Sequence, residues 1–271
     1  MASGLTAVGF SSSSVFNLSQ SQNTLSRAFA QLASGQRINR ASDDAAGLAI
    51  ASGIAASITQ ISQASRNVGD TASALAIADG ALGQVSELST RMQELASMAA
   101  NGTYTDEQRG ALQAEYSALS AEIQRIGETT SYNGKNLLDG STMTAQVGAS
   151  GETLQVNGVN LQALSSAAAS QDISTQAGAQ AAMSAVEQFS QDLTSERSGT
   201  IGSAMSRLES IQNNLSSQNI AQNSALSQVQ DADLPSVAAD LTKAQVLQQY
   251  QVALVQQSSM LQASTRLSLL G

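Results

Sequence analysis

SDDAAGLAIASGIAASITQISQASRNVGDTASALAIADGALGQVSELSTRMQELASMAA, residues 42–100, carries large apolar side chains at helical spacing from end to end. Ile54, Ile58, Ile61, Val68, Leu75, Leu82, Val85, Leu88, Met92 and Leu95 recur in steps of three, four and seven, and Ala64 and Ala72 fill gaps. Such steps place side chains on one stripe of an α-helix. At a rise of ~1.5 Å per residue the stretch predicts a rod roughly 85 Å long. Gly47, Gly53, Gly69, Gly80 and Gly83 interrupt it. Each glycine costs about 1 kcal/mol of intrinsic helicity relative to Ala. Packing must therefore hold the rod, and glycines let neighbours come close. Ser42 reads as its N-cap, with Asp43 and Asp44 at the positive end of the helix dipole.

Outward from the rod, Asn101-Gly102-Thr103 ends it and a second helix begins near Thr105-Asp106-Glu107. Its seam of Leu112, Tyr116, Leu119, Ile123 and Ile126 is long enough to fold back antiparallel on the first. Turn signals follow: Asn133-Gly134, Asp139-Gly140, Gly148, Gly151 and Asn157-Gly158. They flank the β-prone pieces Thr142–Val147 and Thr153–Val156, which predict hairpins or extended loops. Helical periodicity resumes near Ala179 with Val186, Phe189 and Leu193, then Met205, Leu208, Ile211 and Leu215. Asp231-Ala232-Asp233-Leu234-Pro235 is a break, its proline placed where a first helical turn accepts it.

The chain ends are amphipathic and nearly uncharged. Val15, Leu18, Leu25, Phe29 and Leu32 form one seam; Leu247, Tyr250, Leu254 and Leu261 form the other, with Leu267 and Leu270 beyond it. Arg27 is the one charged side chain between Met1 and Gln36, and Ala244–Thr265 has none. A neutral polar face beside an apolar seam suits a helix surrounded by copies of itself, where charges would be costly to desolvate. The fold expected is mainly α: a long antiparallel helical bundle or coiled coil with a small β-hairpin patch in the middle.

Composition excludes more than it proposes. Charged residues make up 12% of the 271, against ~25% in ordinary domains, and the net charge is −9. That balance argues against nucleic acid. His and Cys are absent, which removes the common acid–base group, zinc ligands, thiolate nucleophiles and disulfides. No catalytic residue, metal or cofactor is expected. Asp231, Asp233 and Asp240 could be a metal cluster but read better as caps ahead of Pro235. Arg37 and Arg40 suit either a bound anion or acidic neighbours in a polymer. Met1–Phe16 lacks the pattern of a cleaved secretory signal, and membrane insertion is not expected.

One long stretch is more specific. Leu32-Ala33-Ser34-Gly35-Gln36-Arg37-Ile38-Asn39-Arg40-Ala41-Ser42-Asp43-Asp44-Ala45-Ala46-Gly47-Leu48-Ala49-Ile50 closely resembles the N-terminal signature of bacterial flagellins. The resemblance continues through Arg66-Asn67, Glu94-Leu95-Ala96, Ala100-Asn101-Gly102-Thr103, Tyr132-Asn133-Gly134 and Leu137-Leu138. Arg207-Leu208, Asp231-Ala232-Asp233, Leu241-Thr242-Lys243 and Leu267-Ser268-Leu269-Leu270 fit the family's C-terminal half.

The resemblance implies a structural subunit of the flagellar filament, extracellular and exported through the type III apparatus without a cleaved signal. It implies a helical homopolymer, and as further partners an export chaperone, the filament cap and hook-junction proteins. It also implies paired terminal helices: inner-tube helices at 1–42 and 232–271, shell rods at 43–130 and 176–231, and a β/loop patch at 131–175. Few residues separate the rods, so the chain resembles a short form with little or no outer variable domain. Arg91, Leu95 and Glu115 match positions that contact an animal innate immune receptor, although Gln93 stands where many activating members carry a basic residue. The plainer reading makes Leu95 core and the two charges outer-face residues. A hook–filament junction protein and a flagellin-like, glycan-binding surface adhesin stand as alternatives.

Overall fold

The 42–100 stretch forms helix α2, Ala45–Ala100, in a computed structural model that describes residues 2–148 and 151–270, with the side chains of 2–15, 258, 261–262 and 265–270 outside that description. Its buried positions are more regular than the sequence pattern alone. Ile61, Val68, Leu75, Leu82, Ser89 and Ala96 repeat every seven residues, interleaved with Ala64, Ala78, Val85, Met92 and Ala99. A strict seven-residue repeat is the seam of a left-handed coiled coil. Ser89 is fully buried, and its hydroxyl is satisfied by that of Ser190 at 2.7 Å. An 18-residue window of α2 has a mean hydropathy of 1.4, enough by length and composition to cross a membrane, yet most of that window lies on the surface of the folded chain.

The chain divides into two compact units, residues 57–220 and residues 1–56 with 221–271. In the first, α3 (Asp106–Thr129) starts where the sequence predicts, under a capping box. The Thr105 hydroxyl accepts from the Gln108 amide at 3.3 Å and the Gln108 side chain accepts from the Thr105 amide at 2.9 Å. Strands β1 (Ser131–Tyr132) and β2 (Lys135–Asn136) pair antiparallel across Asn133-Gly134. Both turn residues have positive φ, 49° and 77°, as a two-residue hairpin requires. Strands β3 (Met143–Gln146) and β4 (Thr153–Val156) form the second hairpin, with Met143 opposite Val156 and Gln146 opposite Thr153.

Two features of this unit depart from the sequence reading. The middle is not hairpin and loop alone, because Leu161–Ala169 forms a short helix, α4, capped by Asn160. Leu161 and Ala168 are buried in the main core, and the Tyr116 hydroxyl donates to the Ala168 carbonyl at 2.7 Å. The second rod is also not one continuous helix. Helix α5 (Gln176–Glu196) passes into a π turn at Arg197–Gly202 before α6 (Ser203–Gln230). Buried residues step 179, 182, 186, 189, 193 along α5 and 201, 204, 208 and 215 beyond it. The step from Leu193 to Ile201 is eight residues where a heptad allows seven. A π turn takes up one extra residue and keeps both halves facing the same core.

In the other unit α1 (Ala2–Ser34) packs along α7 (Leu234–Leu270). The connection from α1 to α2 corrects one capping assignment. The Asp44 carboxylate, not Ser42, caps α2, accepting from the Gly47 amide at 2.8 Å. The chain first makes a turn closed by the Asp43 amide and the Arg40 carbonyl, so the helix begins beyond the reach of Ser42. Asp43 accepts from the amides of Asn39 and Arg40 and lies 3.3 Å from Arg27.

Candidate functional site

The terminal helix pair carries the seams expected to drive assembly, and it hides the smaller side chains. Among the described residues, Ser21, Ala28 and Ala244 are its buried helical positions. Leu18, Leu25 and Leu32 are half-buried. Phe29 is 50% exposed, Leu247 43%, Tyr250 63% and Leu254 37%. Phe16, Val246 and Met260 are exposed beside them. The side chains of Val15, Leu261, Leu267 and Leu270 lie outside the described residues. The two helices thus bury their smallest residues fully and half-bury Leu18, Leu25 and Leu32, while a second set of large apolar groups faces water. Arg27, the one charge on α1, is 62% exposed and lies 3.3 Å from Asp43.

The second group of predicted residues sits on α2 and α3. Arg91 donates from Nε and Nη2 to Glu115 at 3.0 and 2.8 Å, and from Nη1 to Glu94 at 2.9 Å. Glu94 and then Glu115 push the Arg91 pKa still higher. Arg91 and Glu115 face solvent, whereas Leu95 is fully buried in the core. The structure brings the three together but presents only the charged two to a partner. Beside them runs an open groove of about 810 Å³, lined among others by Gln93, Met98, Met183 and Glu187.

Several residues weighed from the sequence have local roles. Asp231 contacts the Ser227 hydroxyl, and the described residues hold no group of three or more acidic side chains fit for a metal. Arg37 donates to the Val229 carbonyl at 2.8 Å and lies 3.9 Å from Asp44. The sequence reading missed Arg109. Its buried guanidinium donates to the Ala99 and Asn101 carbonyls, closing the C-terminal end of α2, and is paired with Asp106. An Arg just after a helix end is the signal that could have found it.

The pattern of the bacterial flagellin N-terminal helical region matches residues 9–143, and that of the C-terminal helical region matches 183–268. A flagellin of Halalkalibacterium halodurans is 36% identical over 248 residues, spanning 90% of this chain and 89% of that protein. The chain belongs to the bacterial flagellin family. Among solved structures, Bacillus cereus flagellin superposes with a TM-score of 0.51 at 31% identity, over 55% of this chain and 88% of that one. A putative flagellar hook-associated protein of Vibrio parahaemolyticus superposes with a TM-score of 0.59, over 70% of this chain and all of that one. At 17% identity that likeness concerns the fold alone. As a flagellin, the chain is an extracellular structural subunit that self-assembles into the flagellar filament for motility, and it is not an enzyme. Its cargo-side dealings are those of the family in general: copies of itself and the machinery of export and assembly.

Proposed function

We propose that the exposed apolar row of the terminal helix pair is the contact between subunits, with residues 1–42 and 232–271 lining the inner tube. Residues 43–130 and 176–231, with the patch at 131–175, then form the shell. The observation that carries this reading is the inversion at the termini, where Phe29, Leu247, Tyr250 and Leu254 face water while Ser21, Ala28 and Ala244 are buried. Burying a large apolar side chain contributes about 1.5–3 kcal/mol, and a filament repeats that gain at every subunit. Val15, Leu261, Leu267 and Leu270 extend the same seams in sequence. Near the start of α2, Ile50 is exposed as well and adds to the apolar surface open to a neighbour. Before assembly that surface requires protection, the part an export chaperone plays; the filament cap and hook-junction proteins would meet it at the filament's two ends. Leu247→Asp with Leu254→Asp should abolish elongation from seeds while the central unit keeps its thermal transition. Elongation at the parent's critical concentration would remove the seam from the account.

A second reading rests on the exposed cross-helix pair of Arg91 and Glu115. We propose it as the charged part of an epitope for an animal innate immune receptor, with Leu95 acting only as the support beneath. Arg91→Ala should lower receptor activation by monomer, since interface arginines are frequent hot spots. Activation equal to the parent's would return both residues to ordinary surface charge.

A further inference from the structure

The described stripe of α1 alternates buried Ser21 and Ala28 with half-buried Leu18, Leu25 and Leu32, and on α7 buried Ala244 lies between half-buried Leu241 and Gln251, with no buried charge. That stripe repeats every seven residues, so an arrangement slipped by one heptad buries almost as much as the native one. A slip of seven residues would keep the same face and carry the exposed row of apolar side chains about 10 Å along the helix axis, away from its place. Something outside the helix–helix contact has to set the register.

The two connections beside the pair supply it. Gln36 and Asp231 face each other in an antiparallel bridge. The Arg37 amide donates to the Gln230 carbonyl at 2.6 Å, and the Ala232 amide donates to the Gly35 carbonyl at 3.0 Å. The Arg37 guanidinium adds its bond to the Val229 carbonyl and lies 3.9 Å from Asp44. Gln31, in the last turns of α1, donates to the Arg37 carbonyl at 2.8 Å. Val229 and Gln230 end α6, where carbonyls have no helical partner and a cation is favoured by the helix dipole. Gly35 directly follows α1 and Ala232 lies just before α7. The bridge therefore holds the end of one terminal helix beside the start of the other.

We propose that this clasp sets the register of the α1–α7 pair, and that Arg37 is its positioning residue. The helices pair outward from a fixed point, so the apolar row reaches a neighbouring subunit in one arrangement rather than several.

The test uses the full chain and measures the critical concentration for elongation from seeds. Arg37→Gln removes the charged donor and should raise that concentration about tenfold, the size expected for one charge-assisted hydrogen bond. The thermal transition of the central unit should not move. Adding Gln36→Cys and Asp231→Cys to Arg37→Gln gives a second measurement. Facing residues of an antiparallel bridge lie within the Cα separation a disulfide spans, and the parent has no cysteine to compete. The oxidised chain should recover the parent's critical concentration and the reduced chain should not. A loss of general stability alone would not be rescued so selectively. Arg37→Gln assembling like the parent, a cysteine pair that fails to close in the folded chain, or closure without recovery would each overturn the clasp. If Leu247→Asp with Leu254→Asp blocks elongation while Arg37→Gln does not, the seam stands and the clasp falls.

Discussion

The central and terminal units are both made of sparsely charged helices, yet they hide opposite kinds of side chain. In residues 57–220, Leu75, Leu82, Val85, Met92, Tyr116, Phe189, Leu193 and Leu208 are all nearly inaccessible to solvent. In the terminal pair, the described buried positions are Ser and Ala, and the exposed ones include Phe, Tyr, Leu and Met. Large buried groups supply most of a domain's favourable free energy. The central unit thus carries the main core, and the terminal pair leaves Phe16, Phe29, Leu247, Tyr250 and Met260 exposed.

The contrast breaks first, and most visibly, at matched leucines. Leu82→Ala in the central seam should lower stability by about 2–5 kcal/mol, since it leaves a cavity among fully packed neighbours. Leu247→Ala on exposed α7 should change monomer stability by less than about 0.5 kcal/mol while still impairing elongation. Chemical denaturation of the two variants checks this, and equal losses would mean the monomer already buries its terminal seam.

A smaller effect sharpens the description of the central core. Burial pushes the Tyr116 hydroxyl up to about 12, above its unfolded value near 10. Between those values the unfolded chain releases a proton that the folded chain retains, so stability falls as pH rises. The contribution is fully present below about pH 10 and lost through about pH 12, on the order of 2 kcal/mol. Unfolding followed from pH 8 to 12 should show that loss in the parent, and Tyr116→Phe should flatten it. An identical slope in the variant would assign the alkaline loss to other groups.

The smallest effect concerns the π turn. Deleting Gly199 should restore a seven-residue step from Leu193 to the next buried position and let α5 run directly into α6. With a glycine and a π turn removed, the central unit should gain up to about 1 kcal/mol, read as a rise in Tm. A lower Tm or a broadened transition would show that the turn is required by the packing and is not a correction for one surplus residue.

Much of this was written in the residues themselves. The spacing of Ile61, Val68, Leu75 and Leu82 predicts a helix and the face it buries, because side chains three, four and seven apart share a face. Asn133-Gly134 determines its hairpin, since both positions need positive φ, and the uncharged ends determine that they belong inside an assembly. Tertiary structure decided the rest. Helix α4 is rich in Ser and Ala and reads as loop until the Tyr116 hydroxyl and the core hold it. The π turn has no local sequence mark, though the eight-residue step at Leu193 was there to be counted. Asp44 displaced Ser42 as cap because an intervening turn consumed the residues between. The faces by which α1 and α7 meet were the least legible of all. Apolar patterning identifies a surface that must be buried but not its partner. In the structure Ser21, Ala28 and Ala244 are buried while Phe29, Leu247 and Tyr250 stay exposed, because a single partner helix covers only one stripe of each.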